Sequence, residues 1–294
     1  MVMIITFLVT LAVGVAISIP FFGRNYLNDP DLFNDYGNPQ TVAALKYFQI
    51  VNQLGVFILP AILFVILTDD HFTKYLGFKR DLSKFSSIFG FIVLIVALPF
   101  INWLVDINNS IHLPEFLERI ETWMRDSEDS AGKLTDAFLS TDQWGGFLVN
   151  LFMIAGLAAV GEELIFRGIL VRLFREWTGN IHLAVIIPAL LFSAMHLQFY
   201  GFFGRVLLGI ILGYLFIWSG SLWVPILLHF LNNAMAVILA FMTKRGVLNV
   251  DLETFGSSKS TGMIAGSAVL MVLVMLLIYY HEQQRIKKRG CSDF

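Results

Sequence analysis

Residues 146–170 read GFLVNLFMIAGLAAVGEELIFRGIL. Up to Gly161 the stretch carries no charge, and it then takes on Glu162, Glu163 and Arg167 within two helical turns. About 20 mostly apolar residues are needed to carry a helix across a bilayer, and this run is long enough. In hydrocarbon, however, an ionised side chain costs about 2.5–3.5 kcal/mol on insertion scales. A membrane helix that keeps three such groups together is a place to look for chemistry. The plainer alternative is a charged helix end reaching for the interface, as long side chains commonly do.

The rest of the chain agrees with a membrane setting. Of its 294 residues, 57% are hydrophobic and 14% charged, against about 25% charged in an ordinary soluble domain. That leaves too few polar residues to cover a water-soluble fold and excludes a disordered chain. A net charge of −2 gives no field for nucleic acid, so no nucleic-acid partner is expected. One cysteine, Cys291, forms no internal disulfide and no cysteine-based metal site.

Eight stretches have the length and composition of spans, at about 2–22, 43–67, 86–106, 146–170, 182–200, 203–219, 222–243 and 262–280. The expected fold class is all-α, a polytopic membrane helix bundle of about eight transmembrane helices. The first segment has no positive region before it and reads as retained rather than as a signal peptide. The second carries Gln49, Asn52 and Gln53, so one of its faces should pack on other helices. Between the third and fourth, from Asn108 to Gln143, the residues Phe116, Leu117, Ile120 and Trp123 recur at helical spacing among Glu115, Glu118, Glu121 and Asp126. The pattern fits an amphipathic helix on the membrane surface or a small helix packed on the bundle. In segment six, Gly209 and Gly213 offer a close-packing face, within one chain or between two.

With eight spans, the basic loops fall on one side. These are Lys74, Lys79, Arg80 and Lys84 after segment two, Arg172 and Arg175 after segment four, and Arg285, Lys287, Lys288 and Arg289 in the tail. By the positive-inside rule that side is the cytoplasm, with both termini in it. The acidic first loop (Asp29, Asp31, Asp35) falls outside, together with Lys244, Arg245 and Lys259. The expected organisation is one integrated membrane domain. Residues 1–140 hold the N-terminal spans and the amphipathic segment, and residues 141–294 a core carrying the polar motifs and a basic tail.

Polar and ionisable residues inside apolar segments gather in three neighbouring spans. In the first, Glu163 and Arg167 are four apart and can pair, while Glu162 is rotated by about 100° and faces elsewhere. The two carboxylates should therefore differ in environment, which suits one of them to general base work. In the second, His196 follows Phe192 by four residues. In the third, His229 and Asn233 share a face and can donate hydrogen bonds to a developing oxyanion. The remaining histidines (His71, His112, His182 and His281) lie in loops or at span ends.

These residues resemble a known family. Glu162-Glu163 with Arg167, Phe192 with His196, and His229 with Asn233 are similar to the EExxxR, FxxxH and HxxxN motifs of the CPBP intramembrane proteases. That family includes type II CAAX-prenyl endopeptidases and bacterial proteins of bacteriocin processing or immunity. The resemblance covers about residues 145–240. It implies an eight-helix bundle with an internal site open to the cytosol, and an intramembrane endopeptidase acting on a peptide or membrane-anchored protein substrate in the lipid bilayer. It also implies that Glu162 and His196 activate water, that His229 and Asn233 hold the oxyanion, and that Glu163, Arg167 and Phe192 support them. No cofactor is required by this reading. Should a metal be present, it would be zinc on Glu162, His196 and His229, although the chain lacks HExxH. The expected location is a bacterial inner (cell) membrane. The alternatives are a non-proteolytic scaffold or immunity protein and, further off, a small transporter, for which repeats and paired broken helices are missing.

Overall fold

The computed structural model describes residues 2–24, 30–68, 71–78, 80–252 and 254–289. Asp29, Lys79 and Cys291 lie outside the described residues. Within them the chain is all-helical. The elements are α1 (Val2–Phe22), α2 (Pro39–Thr68), α3 (Lys84–Val96), α4 (Leu98–Asn109), α5 (Glu118–Leu139), α6 (Trp144–Thr178), α7 (Ile181–Ala194), α8 (Phe202–Ser219), α9 (Trp223–Lys244) and α10 (Thr261–Arg289). Six of these helices are long and apolar enough to cross a membrane, or seven when α3 and α4 count as one bent span. The chain is an integral membrane protein.

All eight apolar segments are helical, and two depart from a simple span for local reasons. α3 and α4 meet at a bend of 47°. Pro99 sits in the first turn of α4, where its ring clashes with the carbonyl four residues back and removes a donor, so the helix cannot run straight through. α7 has only 14 residues. It stops because Leu197 takes the left-handed backbone conformation, with φ of 52°, which costs a branched side chain and turns the chain away from the helix axis.

Close packing fixes the middle of the bundle. A Cβ on Gly209 would lie 2.8 Å from the Cβ of Ala189 and 3.0 Å from its Cα, and one on Gly213 would lie 2.8 Å from Val185. The small-residue face of α8 is thus used within the chain, against α7, and lets two backbones approach as small residues do between membrane helices.

Side-chain hydrogen bonds tie the loops together at each end of the bundle. At one end, the Ser221 hydroxyl donates to the Arg80 carbonyl over 2.9 Å, and Ser83 and Ser86 both donate to Glu282 of α10. The loop before α3, the α8–α9 turn and the C-terminal part of α10 meet there, which groups Arg80, Lys84 and Arg285 as the sequence reading expects. At the other end, the Asn108 side chain accepts from the Phe203 backbone N–H over 3.2 Å, Asn102 donates to the Phe255 carbonyl over 3.0 Å, and Arg245 covers the ring of Trp144 at 5.3 Å.

α5 lies at this second end. Phe116 is 82% exposed and Trp123 50%, so the apolar stripe read from sequence is only partly covered by protein. The helix is nonetheless docked. Trp123 packs on Phe199 at 5.1 Å, Arg125 lies over Tyr200 at 4.6 Å, and Glu128 accepts from the Tyr200 N–H over 3.0 Å. Its first turn is closed by Glu121, which accepts from the Leu113 N–H over 2.7 Å and from Arg125 over 2.6 Å.

Those donors pull the Glu121 carboxyl from 4.5 down to about 2, with the Arg125 hydrogen bond the largest cause. A depressed native pKa means that the contribution is present above about 4.5 and is lost as pH falls toward about 2. We expect hydrogen exchange at the Leu113 amide, corrected for its intrinsic pH dependence, to accelerate across that window. Glu121→Gln should show the faster exchange already at neutral pH. Equal protection of wild type and variant at neutral pH would contradict this role.

Candidate active site

Glu162 and Glu163 close a short α-helical stretch, Ala158–Glu163, that lies between two π-helical stretches of α6, Leu151–Leu157 and Leu164–Leu170. Such wide turns are rare and are frequent at functional sites. Here the second one carries Arg167. Gly161 permits the approach of α2, because a Cβ at that position would lie 3.0 Å from the Cβ of Phe57.

A chain of polar contacts crosses the core at this level. Arg167 donates from Nη1 to Glu163 Oε1 over 2.6 Å and from Nη2 to the Gly209 carbonyl over 3.1 Å. The same Glu163 oxygen lies 2.8 Å from His229 Nδ1. The other ring nitrogen, Nε2, faces Glu162 Oε2 at 3.8 Å, beyond direct hydrogen-bond reach. Glu162 Oε1 accepts from Gln53 Nε2 over 3.3 Å. Phe192 walls the cluster, with Arg167 over its ring at 5.1 Å and the His229 ring 5.9 Å away. Glu163 is fully buried, and Glu162, Arg167, Phe192, His229 and Gln53 are buried around it.

Charge explains the arrangement. Arg167 and Glu163 neutralise each other in a low-dielectric core, and the carbonyl of Gly209 satisfies a second guanidinium donor. A buried pair is tolerated when its remaining hydrogen bonds are met, which holds here for Glu163 Oε1 and two guanidinium nitrogens, while Glu163 Oε2 is buried without a partner among the described residues. Glu163 then fixes the ring of His229 through Nδ1, which leaves Nε2 as the atom presented to Glu162.

Five of the seven sequence-selected residues, Glu162, Glu163, Arg167, Phe192 and His229, form one cluster. The other two are not brought to Glu162. His196 is exposed at the end of α7. Its Nδ1 lies 2.8 Å from the Phe192 carbonyl and its ring 5.0 Å from the Phe192 ring. The left-handed Leu197 and the grip of α5 on Phe199 and Tyr200 hold the loop in that position. Asn233 donates over 3.0 Å to the Ile154 carbonyl, within the first π-helical stretch, and accepts from Asn232. Its amide thus ties α9 to α6.

Two contacts were not read from sequence. One is the sharing of Glu163 between Arg167 and His229. The other is Gln53, whose only sequence signal was its place among three polar residues in an apolar span.

The zinc set suggested by the motifs does not close. Glu162 and His229 approach to 3.8 Å, but His196 is not with them, and among the described residues no group of three His, Cys, Asp or Glu side chains is placed to hold a metal ion. A catalytic zinc takes three protein ligands around one point, and this arrangement does not fit one.

Comparison with known proteins bears out the resemblance over the segment that carries the cluster. Residues 144–235 match the family described as Rce1-like, type II CAAX prenyl endopeptidase. A curated protein of Escherichia coli, described as an uncharacterized 24.3 kDa protein, is 38% identical over 88 residues. The match covers 28% of this chain and 40% of that protein. No solved structure matches the chain.

Proposed function

We propose, from a segment 144–235 of the Rce1-like type II CAAX prenyl endopeptidase family, that this membrane protein is an endopeptidase whose water is activated by Glu162. The observation that carries the reading is the buried Glu162 carboxylate facing His229 Nε2 across 3.8 Å, with Nδ1 of that ring held by Glu163.

A water beside Glu162 Oε2 gives up a proton to the carboxylate as its oxygen attacks the peptide carbonyl carbon. The carbonyl π electrons move to oxygen, and the His229 ring, carrying a proton on Nε2 as well as the Nδ1–H held by Glu163, donates from Nε2 to that developing charge. The C–N bond then breaks, and the proton held by Glu162 passes to the departing amine. Arg167 and Glu163 keep His229 oriented. Asn233 holds α9 on α6 through the Ile154 carbonyl, and His196, exposed beyond the end of α7 with Nδ1 at the Phe192 carbonyl, is available to substrate or water. The substrate is a peptide or membrane-anchored protein. The basic end of the bundle faces the cytoplasm of a bacterial cell, with both termini there.

The test uses the purified full chain in detergent. Two synthetic peptides are offered, one ending in a prenylated cysteine tail and one identical but unprenylated. Hydrolysis of at least one, retained after exhaustive chelation, is the expected result. Activity lost on chelation and restored by zinc would overturn the metal-free mechanism, and no hydrolysis of either peptide would count against the endopeptidase reading.

A further inference from the structure

We propose that Gln53 is a positioning residue for Glu162, so that the site extends into α2, well outside the segment shared with the family. The inference rests on the reading of Glu162 as the base.

The contact joins residues 109 apart in sequence. Gln53 is 4% exposed, and a carboxamide taken out of water is costly unless its hydrogen bonds are met. Its nitrogen donates to Glu162 Oε1, while its own Oε1 has no hydrogen-bond partner among the described residues. An apolar side chain of the same size would fill the space without leaving that acceptor buried and unmet. The amide is therefore explained by its contact with Glu162 rather than by packing.

The local backbone serves the same contact. α2 turns π-helical at the very next residue, over Leu54–Ile58. The opposing position is Gly161, where a Cβ would press on Phe57 and come within 3.4 Å of Gln53 Oε1. The two helices are thus brought as close as glycine allows at the level where the amide reaches the carboxylate.

The consequence is geometric. The terminal torsion of a glutamate is soft, and either oxygen could face the ring. With Oε1 held by Gln53, Oε2 is the oxygen presented to His229 and to the water between them. Gln53 acts through Glu162, the side chain to which its amide donates.

Gln53→Met keeps the volume and removes the donor. It should lower kcat about tenfold, the size expected for one hydrogen bond to a charged group, with KM and the thermal unfolding midpoint unchanged. Gln53→His, which keeps an N–H in similar space, should stay within about threefold of wild type. If Gln53→Met turns over as wild type does, or if both variants fall equally with raised KM or lowered unfolding midpoint, the residue is a packing element and the proposal fails. If Gln53→Met does not fold, Gln53→His decides alone: a folded protein with near wild-type kcat supports the proposal, and a tenfold loss overturns it. Glu162→Gln, measured in parallel, separates the two claims. Normal turnover there removes the base itself, whereas an inactive Glu162→Gln beside an unaffected Gln53→Met removes only the role of Gln53.

Discussion

Glu162→Gln should abolish peptide hydrolysis, with a loss of about 10²–10⁴-fold, the range that general bases contribute, while the bundle stays folded. The substitution keeps shape and burial. The new amide oxygen can still accept from Gln53, and no charge is stranded, because the ion pair of the core is Arg167 with Glu163 rather than Glu162. Activity and stability should therefore separate. Thermal unfolding in detergent should match wild type, and turnover should be near background. Near-normal turnover would assign the base elsewhere. A collapse of stability would show that Glu162 holds the fold together.

Glu163→Ala should do the opposite and act first on stability. It removes the acceptor shared by Arg167 and His229 and leaves a fully buried guanidinium with the Gly209 carbonyl and the face of Phe192. Breaking one side of a buried ion pair typically costs about 3–5 kcal/mol, because the remaining charge is uncompensated. Removing both partners at once, as Glu163→Ala with Arg167→Met, should cost less than Glu163→Ala alone. That non-additivity is measurable in a double-mutant cycle by unfolding in detergent. Hydrolysis should also fall in Glu163→Ala, since His229 loses the contact that fixes its ring. An unfolding midpoint equal to wild type would mean that the pair carries no weight in the core.

Much of this was legible in the sequence, and the reasons are specific. The cost of charge in hydrocarbon makes Glu162, Glu163 and Arg167 conspicuous in residues 146–170, and the four-residue spacing fixes which carboxylate meets the arginine. Periodicity also marks α5, through Phe116, Ile120 and Trp123. What spacing does not contain is the relation between helices. That His229 turns Nδ1 to Glu163, and that Gln53 reaches Glu162, depend on how α9 and α2 seat on α6, and on glycines such as Gly161 that set the approach. A small-residue pair such as Gly209 and Gly213 announces close packing without naming its partner, here α7. The FxxxH spacing puts His196 on the same face as Phe192, but the left-handed turn at Leu197 and the docking of α5 decide where that face ends. The bend at Pro99 was not read from the sequence, because Pro20 and Pro188 lie inside helices that continue past them and an apolar run of span length masks the break.

The central claim is that the Glu162 carboxylate cuts peptide bonds. Membranes from cells carrying wild-type protein, compared with those carrying Glu162→Gln at equal abundance, test it through their protein N-termini. The account predicts a set of internal N-termini in membrane-associated proteins that is present with wild type and absent with the variant. Identical sets of N-termini from the two membranes would contradict it.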